Sequence, residues 1–262
     1  MIEVSQLTKL YGDFAAVSEL SFTVQPGQLL GLVGPNGAGK TTCLRCLAGI
    51  IPATRGTLRL AGYDLATDPI AAKRHLAFFA DEPRLFEYLT VAQHLAFVAR
   101  IYGVKDAEVR APCLLEELEL SDKRDSLPGE LSRGMKQKVA LACGLIHSPT
   151  VILFDEPLTG LDPLAIRRTK ETIRRLARDG ASVIISSHLL HLLEEICTHI
   201  LVVKRGVRAA FGSLQEVREQ FAHGDSGVDL EEVFMRIATQ GDKPPPLLPL
   251  PPPDSAGPPP LT

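Results

Sequence analysis

Residues 28–42 read Gln28-Leu29-Leu30-Gly31-Leu32-Val33-Gly34-Pro35-Asn36-Gly37-Ala38-Gly39-Lys40-Thr41-Thr42. The first six form a short apolar run, the pattern of a strand buried on both faces. Residues 34–41 then fit G-x-x-x-x-G-K-[ST], and an apolar helical segment follows over 41–50. Glycines let the backbone adopt positive φ and turn its N–H groups inward around phosphate oxygens. A lysine at position 40 brings a point charge to the β- and γ-phosphates of a nucleotide, and the Thr41 hydroxyl suits Mg²⁺. The helix that starts here sets its positive dipole end beneath the anion. A strand before and a helix after separate this motif from an idle glycine-rich turn. Gly34, Pro35, Asn36, Gly37, Ala38, Gly39, Lys40, Thr41 and Thr42 are therefore the candidate nucleotide-binding residues.

Further along, Val151-Ile152-Leu153-Phe154 is a second buried run, closed by Asp155 and Glu156. An acid at the carboxyl end of such a strand can hold Mg²⁺ beside a phosphate loop. Glu156 points differently and suits the general base for an attacking water. Ser182–Ser186 (SVIIS) and residues 200–203 (ILVV) are further strand candidates, and His188 is a candidate contact to a γ-phosphate. Residues 164–179 read as a helix ended by Gly180. Strand and helix alternate in this order, so the expected fold class is α/β, with a mainly parallel core sheet covered on both faces. Residues 85–147 read as chiefly helical and form a separate lobe.

Composition narrows the function classes. The 262 residues, 45% hydrophobic and 23% charged, suit one large soluble α/β domain or two small ones. A net charge of −3 gives no electrostatic case for a nucleic-acid partner. No run reaches the roughly 18 apolar residues that cross a bilayer. The opening MIEVSQLTKLYG lacks a basic region followed by an apolar one, so no signal peptide is expected. A membrane role would need another chain to supply the span. The five cysteines, Cys43, Cys46, Cys113, Cys143 and Cys197, read as reduced cytosolic thiols. Cys43 and Cys46 form a C-x-x-C with no second ligand pair and read as buried helix residues. Residues 1–240 have globular proportions, whereas 241–262 hold ten of the twenty prolines and read as an extended, disordered tail. Arg167, Arg168, Lys170, Arg174, Arg175 and Arg178 read as a solvated helix face, with Glu171 and Arg175 as an i, i+4 pair.

Over residues 2–238 the sequence resembles the ABC ATPase family. Leu131-Ser132-Arg133-Gly134-Met135 stands where the family usually has LSGGQ. Residues 157–162 (PLTGLD) resemble its D-loop, and Ser186-Ser187-His188 its switch-histidine segment. Tyr11 matches the aromatic position that stacks on adenine. The resemblance implies an ABC-type P-loop NTPase with an N-terminal antiparallel β part and an inserted helical lobe. It implies ATP and Mg²⁺ as cofactors, with Glu156 as base and His188 on the γ-phosphate during hydrolysis. It also implies a head-to-tail dimer, in which one phosphate loop faces Ser132 and Gly134 of a second ABC ATPase subunit. A transmembrane permease would be the further partner, placing the chain in the cytoplasm on the inner face of the cell membrane. YGDFAAV, LTV and the GMKQ-type signature resemble ATPase subunits of ABC-2-type exporters, which favours export. The alternative is a soluble ABC ATPase acting on a non-membrane macromolecular partner. One compact cassette, without a heptad insert or paired cysteine clusters, counts against it. A non-catalytic nucleotide binder is a second alternative, and the presence of Lys40, Asp155, Glu156 and His188 counts against that.

Two positions depart from the family pattern. Asp81, in Phe78-Phe79-Ala80-Asp81-Glu82-Pro83, replaces a usual Gln. A carboxylate still suits Mg²⁺, but it only accepts and adds a negative charge. Asp81 thus joins Thr41 and Asp155 as a candidate metal ligand. Arg133 fills the signature's first Gly position and reads as pointing outward. Beyond Asp81, Leu85, Phe86 and Tyr88 cluster without a helical period. The resemblance places a coupling helix of the membrane subunit at this junction, so some of the three are expected to be partly exposed.

Overall fold

The structure is a computed structural model that describes residues 1–221 together with 231–232 and 235. The proline-rich segment 241–262 and the end of the 1–240 unit lie outside the described residues. The chain opens with β1 (Ile2–Tyr11), β2 (Phe14–Val24) and β3 (Leu29–Val33), followed by helix α1 (Lys40–Leu47). Next come β4 (Arg55–Leu60), β5 (Tyr63–Asp64), α2 (Pro69–Arg74) and β6 (Leu76–Phe79). Three helices follow, α3 (Val91–Tyr102), α4 (Ala107–Glu117) and α5 (Arg133–Leu145), before β7 (Val151–Asp155) and α6 (Pro163–Arg178). The described chain then runs through β8 (Ser182–Ser186), α7 (Leu190–Ile196), β9 (His199–Lys204), β10 (Val207–Ser213) and α8 (Leu214–Phe221).

Six strands form the core sheet in the order β10-β9-β3-β8-β7-β6. All neighbours in it are parallel except β10, which runs antiparallel to β9. The remaining four build an antiparallel sheet, β2-β1-β4-β5. The mainly parallel core is as the alternation of strands and helices predicted, and the N-terminal antiparallel part is as the resemblance implied. β3, β7 and β8 are buried at every position, and this is why their sequences are unbroken apolar runs rather than alternating ones. Side chains still alternate between two cores. Leu29, Val33, Ile152, Phe154, Val183 and Ile185 join the core beneath α6 and α7. Leu30, Leu32, Val151, Leu153 and Ile184 join the core shared with α1 and the antiparallel sheet. Gly31 belongs to the first face, where a Cβ would stand 2.6 Å from Ile200 Cδ1. Cys43 and Cys46 are buried in the second core, and burial pushes both thiols upward, Cys46 to about 11. Cys113, on α4, is exposed.

Helices α3 to α5 are inserted between β6 and β7 and enclose their own core of Leu95, Leu115, Leu120, Val139 and Ile146. Helix α3 starts at Thr90, whose hydroxyl accepts from Gln93 N (3.2 Å) while Gln93 Oε1 accepts from Thr90 N (2.8 Å). It ends at Gly103 with φ +67°. Helix α6 begins one residue earlier than expected, because Asp162 Oδ1 accepts from Leu164 N and Ala165 N, with Pro163 at the first position. Its basic face is not a plain solvated stripe. Arg167, not Arg175, pairs with Glu171 along the helix (3.4 Å). Arg168 reaches Glu119, and Arg175 reaches Glu117, at or just past the C-terminal end of α4 in the helical lobe. The i, i+4 partner expected for Arg175 loses because α4 brings a carboxylate to the same guanidinium from outside the helix. No helix among the described residues is long and apolar enough to cross a membrane.

Candidate functional site

The loop between β3 and α1 owes its shape to three glycines with three different reasons. At Gly34 a Cβ would stand 2.2 Å from the Val203 carbonyl oxygen, so the strand end and β9 approach too closely for a side chain. At Gly39, with φ +102°, a Cβ would stand 2.4 Å from Ala16 O, and the left-handed turn also starts the helix. Gly37, at φ +78°, faces open space, so only its backbone conformation demands glycine. Gly206 clasps the loop from outside, donating to Ala38 O (2.9 Å) and accepting from Ser18 N (2.8 Å).

Lys40 opens α1 and is almost wholly buried. Its ammonium donates to Gly34 O (2.7 Å) and Pro35 O (3.3 Å), curling back over the loop's own carbonyls. Burial lowers its pKa, and the nearby Glu156 and Asp155 carboxylates oppose that shift. No acid occupies the first turn of α1, so its free N–H groups and this lysine make one cationic recess.

The β7 end closes the recess from the other side. Asp155 is buried, and its Oδ1 accepts from Thr41 Oγ1 (3.2 Å) and Ser186 Oγ (2.7 Å). No hydrogen bond among the described residues falls on its Oδ2. The donor set is carboxylate and hydroxyl oxygen next to an anion recess, which fits a hard cation such as Mg²⁺. Glu156 follows in the left-handed region, φ +51°. That turn carries its carboxylate away from Asp155 towards His188, whose Nδ1 lies 2.9 Å from Glu156 Oε2. His188 N (3.4 Å) and Thr159 Oγ1 (3.3 Å) donate to the same oxygen. Lys40, Thr41, Asp155, Glu156 and His188 therefore meet in one place, as their residue types suggested.

The other candidates stand apart from that cluster. Tyr11 ends β1, half exposed, with the Lys9 ammonium 5.2 Å from its ring centroid. Ser132 caps α5 from within the helical lobe, its hydroxyl accepting from Met135 N (3.3 Å), and Gly134 faces open space. No hydrogen bond or ion pair among the described residues ties Ser132, Gly134 or Tyr11 to Asp155. Asp81 also makes no hydrogen bond to Thr41 or Asp155. It faces Arg133 instead (4.0 Å), so the two departures from the family pattern meet each other. Arg133 is half exposed but not idle, because its guanidinium lies against Gly160, where a Cβ would be 2.8 Å from Nη1.

Sequence reading missed two residues here, Thr159 and Ser186. Ser186 was legible only as a member of the Ser-Ser-His segment. Its role depends on parallel register, which pairs it with Asp155 and Leu32. A cavity of about 710 Å³ lies between core and helical lobe, lined among others by Phe79, Leu85, Phe86, Tyr102, Met135 and Leu141. On its rim Phe86 is 56% exposed, and Tyr88 nearby is 88% exposed.

Residues 17–159 match the family model described as ABC transporter. The ABC-type transporter ATP-binding protein EcsA of Bacillus subtilis is 36% identical over 231 residues, covering 87% of this chain and 94% of the relative. Nod factor export ATP-binding protein I of Burkholderia thailandensis is 37% identical over 235 residues, 89% of this chain and 76% of that protein. A solved structure described as the ATP-binding subunit of an ABC transporter superposes with a TM-score of 0.85 at 34% identity. It covers 91% of this chain and 99% of that one.

Proposed function

The chain belongs to the ABC transporter family as an ATP-binding, ATP-hydrolysing subunit that powers a membrane transporter, and we propose that Glu156 is the base of its hydrolysis. The carrying observation is the Glu156 carboxylate, turned out of β7 beside Asp155 and held by His188 and Thr159. ATP lies with its phosphates in the loop of residues 34–42 and its adenine against the exposed face of Tyr11. Lys40 moves its ammonium from Gly34 O and Pro35 O to the β- and γ-phosphates, exchanging neutral acceptors for charged ones. Thr41 and Asp155 would hold Mg²⁺, and Asp81 would join them only on leaving Arg133. When bound, the cation would neutralise charge developing on the phosphates. Glu156 takes a proton from a water whose oxygen attacks the γ-phosphorus. The bond to the bridging oxygen breaks, and ADP departs with that electron pair. His188 donates from Nδ1 to Glu156, and contact with a γ-phosphate oxygen needs a second donor at Nε2, the imidazolium form.

One chain holds one phosphate loop and one Ser132 segment. Ser132 uses one lone pair to accept from Met135 N, which leaves its O–H to donate to a phosphate on a second ABC ATPase subunit facing it. The working unit is therefore a nucleotide-sandwiched dimer, docked through the rim around Phe86 and Tyr88 onto a permease subunit. That puts it on the cytoplasmic, inner face of the membrane, and the name of the Nod factor export relative favours export. Light scattering of Glu156→Gln protein, with and without ATP and Mg²⁺, tests this assembly. A mass that doubles only with both supports it, and a mass unchanged at high protein concentration overturns a homodimer.

A further inference from the structure

Ser186 ends β8 in the middle of the core sheet and is 0% exposed. Its parallel-register neighbours are Leu32, two residues before the phosphate loop, and Asp155. The hydroxyl lies 2.7 Å from Asp155 Oδ1 and 3.0 Å from the Glu156 amide nitrogen. A hydroxyl has one proton and two lone pairs, an ionised carboxylate only accepts, and an amide N–H only donates. The orientation is thus forced, with Ser186 donating to Asp155 and accepting from Glu156. The same amide N–H also reaches Ser186 O at 3.2 Å. It belongs to Glu156 at φ +51°, in a conformation that L side chains rarely adopt and that persists only where the surroundings over-determine it. One buried side chain therefore holds the carboxylate that Thr41 shares and the peptide that turns Glu156 out of the strand.

We infer that Ser186 is a positioning residue for ATP hydrolysis, setting the Asp155 carboxylate for the cation and the backbone turn that aims Glu156. The inference rests on the reading of Asp155 as cation holder and Glu156 as base. Without the hydroxyl, Asp155 keeps only Thr41 on Oδ1, and the Glu156 peptide keeps only the longer bond to Ser186 O. Both acids remain, so nucleotide still binds. What is lost is their mutual placement, and partners that orient metal-binding groups are typically worth about 10- to 100-fold in activity or metal affinity.

The experiment compares wild type with Ser186→Ala, Ser186→Thr and Ser186→Val in the full chain, using Ser182→Ala as control. Ser182 lies on the same strand, equally buried, and its hydroxyl has no partner among the described residues. Losing a buried, unpartnered hydroxyl is neutral or mildly stabilising, so Ser182→Ala should match wild type. Ser186→Ala should lower kcat/KM for ATP in the presence of Mg²⁺ by about 10- to 100-fold. In equilibrium titrations with a fluorescent ATP analogue, affinity without metal should be unchanged. The gain in affinity on adding Mg²⁺ should shrink by a similar factor. Threonine and valine add nearly the same bulk and differ in the hydroxyl. Ser186→Thr should therefore exceed Ser186→Val in both turnover and Mg²⁺-dependent affinity, and this pair decides the matter even if the alanine variant misfolds. Equal threonine and valine variants, or Ser186→Ala with wild-type turnover and Mg²⁺ response, would overturn the inference. Failure of the underlying reading looks different, because Glu156→Gln would then turn over like wild type.

Discussion

Replacing Glu156 by Gln changes basicity and almost nothing else. The amide carbonyl oxygen can still accept from His188 Nδ1 and Thr159 Oγ1, the contacts that now fall on Oε2. The backbone bonds to Ser186 and the φ of +51° do not involve the side chain. Lys40 feels Glu156 as the larger of the two carboxylates that oppose its lowered pKa, so the neutral amide leaves the lysine somewhat easier to deprotonate but still bonded to the loop. What disappears is a group able to take a proton from water. A general base contributes roughly 10²- to 10⁴-fold, and the lower bound corresponds to about 2.7 kcal/mol of barrier. Phosphate release by purified protein should therefore fall at least about a hundredfold. Binding of a fluorescent ATP analogue should stay within a few-fold of wild type. Wild-type turnover would refute the assignment of the base. Loss of nucleotide binding in proportion to turnover would refute the claim that Glu156 acts on chemistry alone.

Lys40→Met should weaken ATP binding by more than tenfold, the order expected from losing charge-assisted bonds to phosphate. Burial holds the Lys40 pKa below its unfolded value, so the unfolded chain binds more protons in the window just below the ordinary lysine pKa. Wild-type stability should accordingly rise with pH through that window relative to Lys40→Met, as thermal melts of the two would show. Gly34→Ala should cost about 1–3 kcal/mol, because its Cβ meets the Val203 carbonyl oxygen at 2.2 Å rather than a movable side chain; an unchanged Tm would contradict that. Tyr88→Ala should leave basal ATPase and Tm unchanged yet weaken capture of the permease subunit by about 10- to 150-fold, the worth of one buried aromatic side chain. Phe86→Ala should also lower Tm slightly, since its ring packs edge-on against Phe97 at 5.4 Å.

What could be read in advance was whatever depends on chain neighbours. The glycines and lysine of residues 34–41 lie within one turn, and Asp155 and Glu156 end a strand whose burial its composition announces. The order of strands and helices then gave the parallel sheet. Contacts between segments were not readable in the same way. Ser186 meets Asp155 because two parallel strands adopt one register among several. Arg133 meets Asp81 because the helical lobe folds back on the end of β6, bringing residues 52 positions apart within 4.0 Å. Arg175 was assigned a partner on its own helix, since helical spacing is the only proximity a sequence displays, and the lobe supplied Glu117 instead. Tyr11 and Ser132 were named from the resemblance, and nothing in the fold of a single chain would have joined them to Asp155.

The distribution of thiols makes the helical lobe observable in solution. Cys43, Cys46 and Cys197 are sealed in the cores and protonated, and Cys143 is partly covered, its thiol raised to about 12. Cys113 alone is exposed, on the outer helix α4. A maleimide dye at neutral pH should therefore attach there first, without any engineered cysteine. The fluorophore would ride on the lobe that carries Ser132, a few residues before the Glu117 and Glu119 carboxylates bonded to α6. Its emission or anisotropy would then follow the lobe in real time as nucleotide and salt are varied.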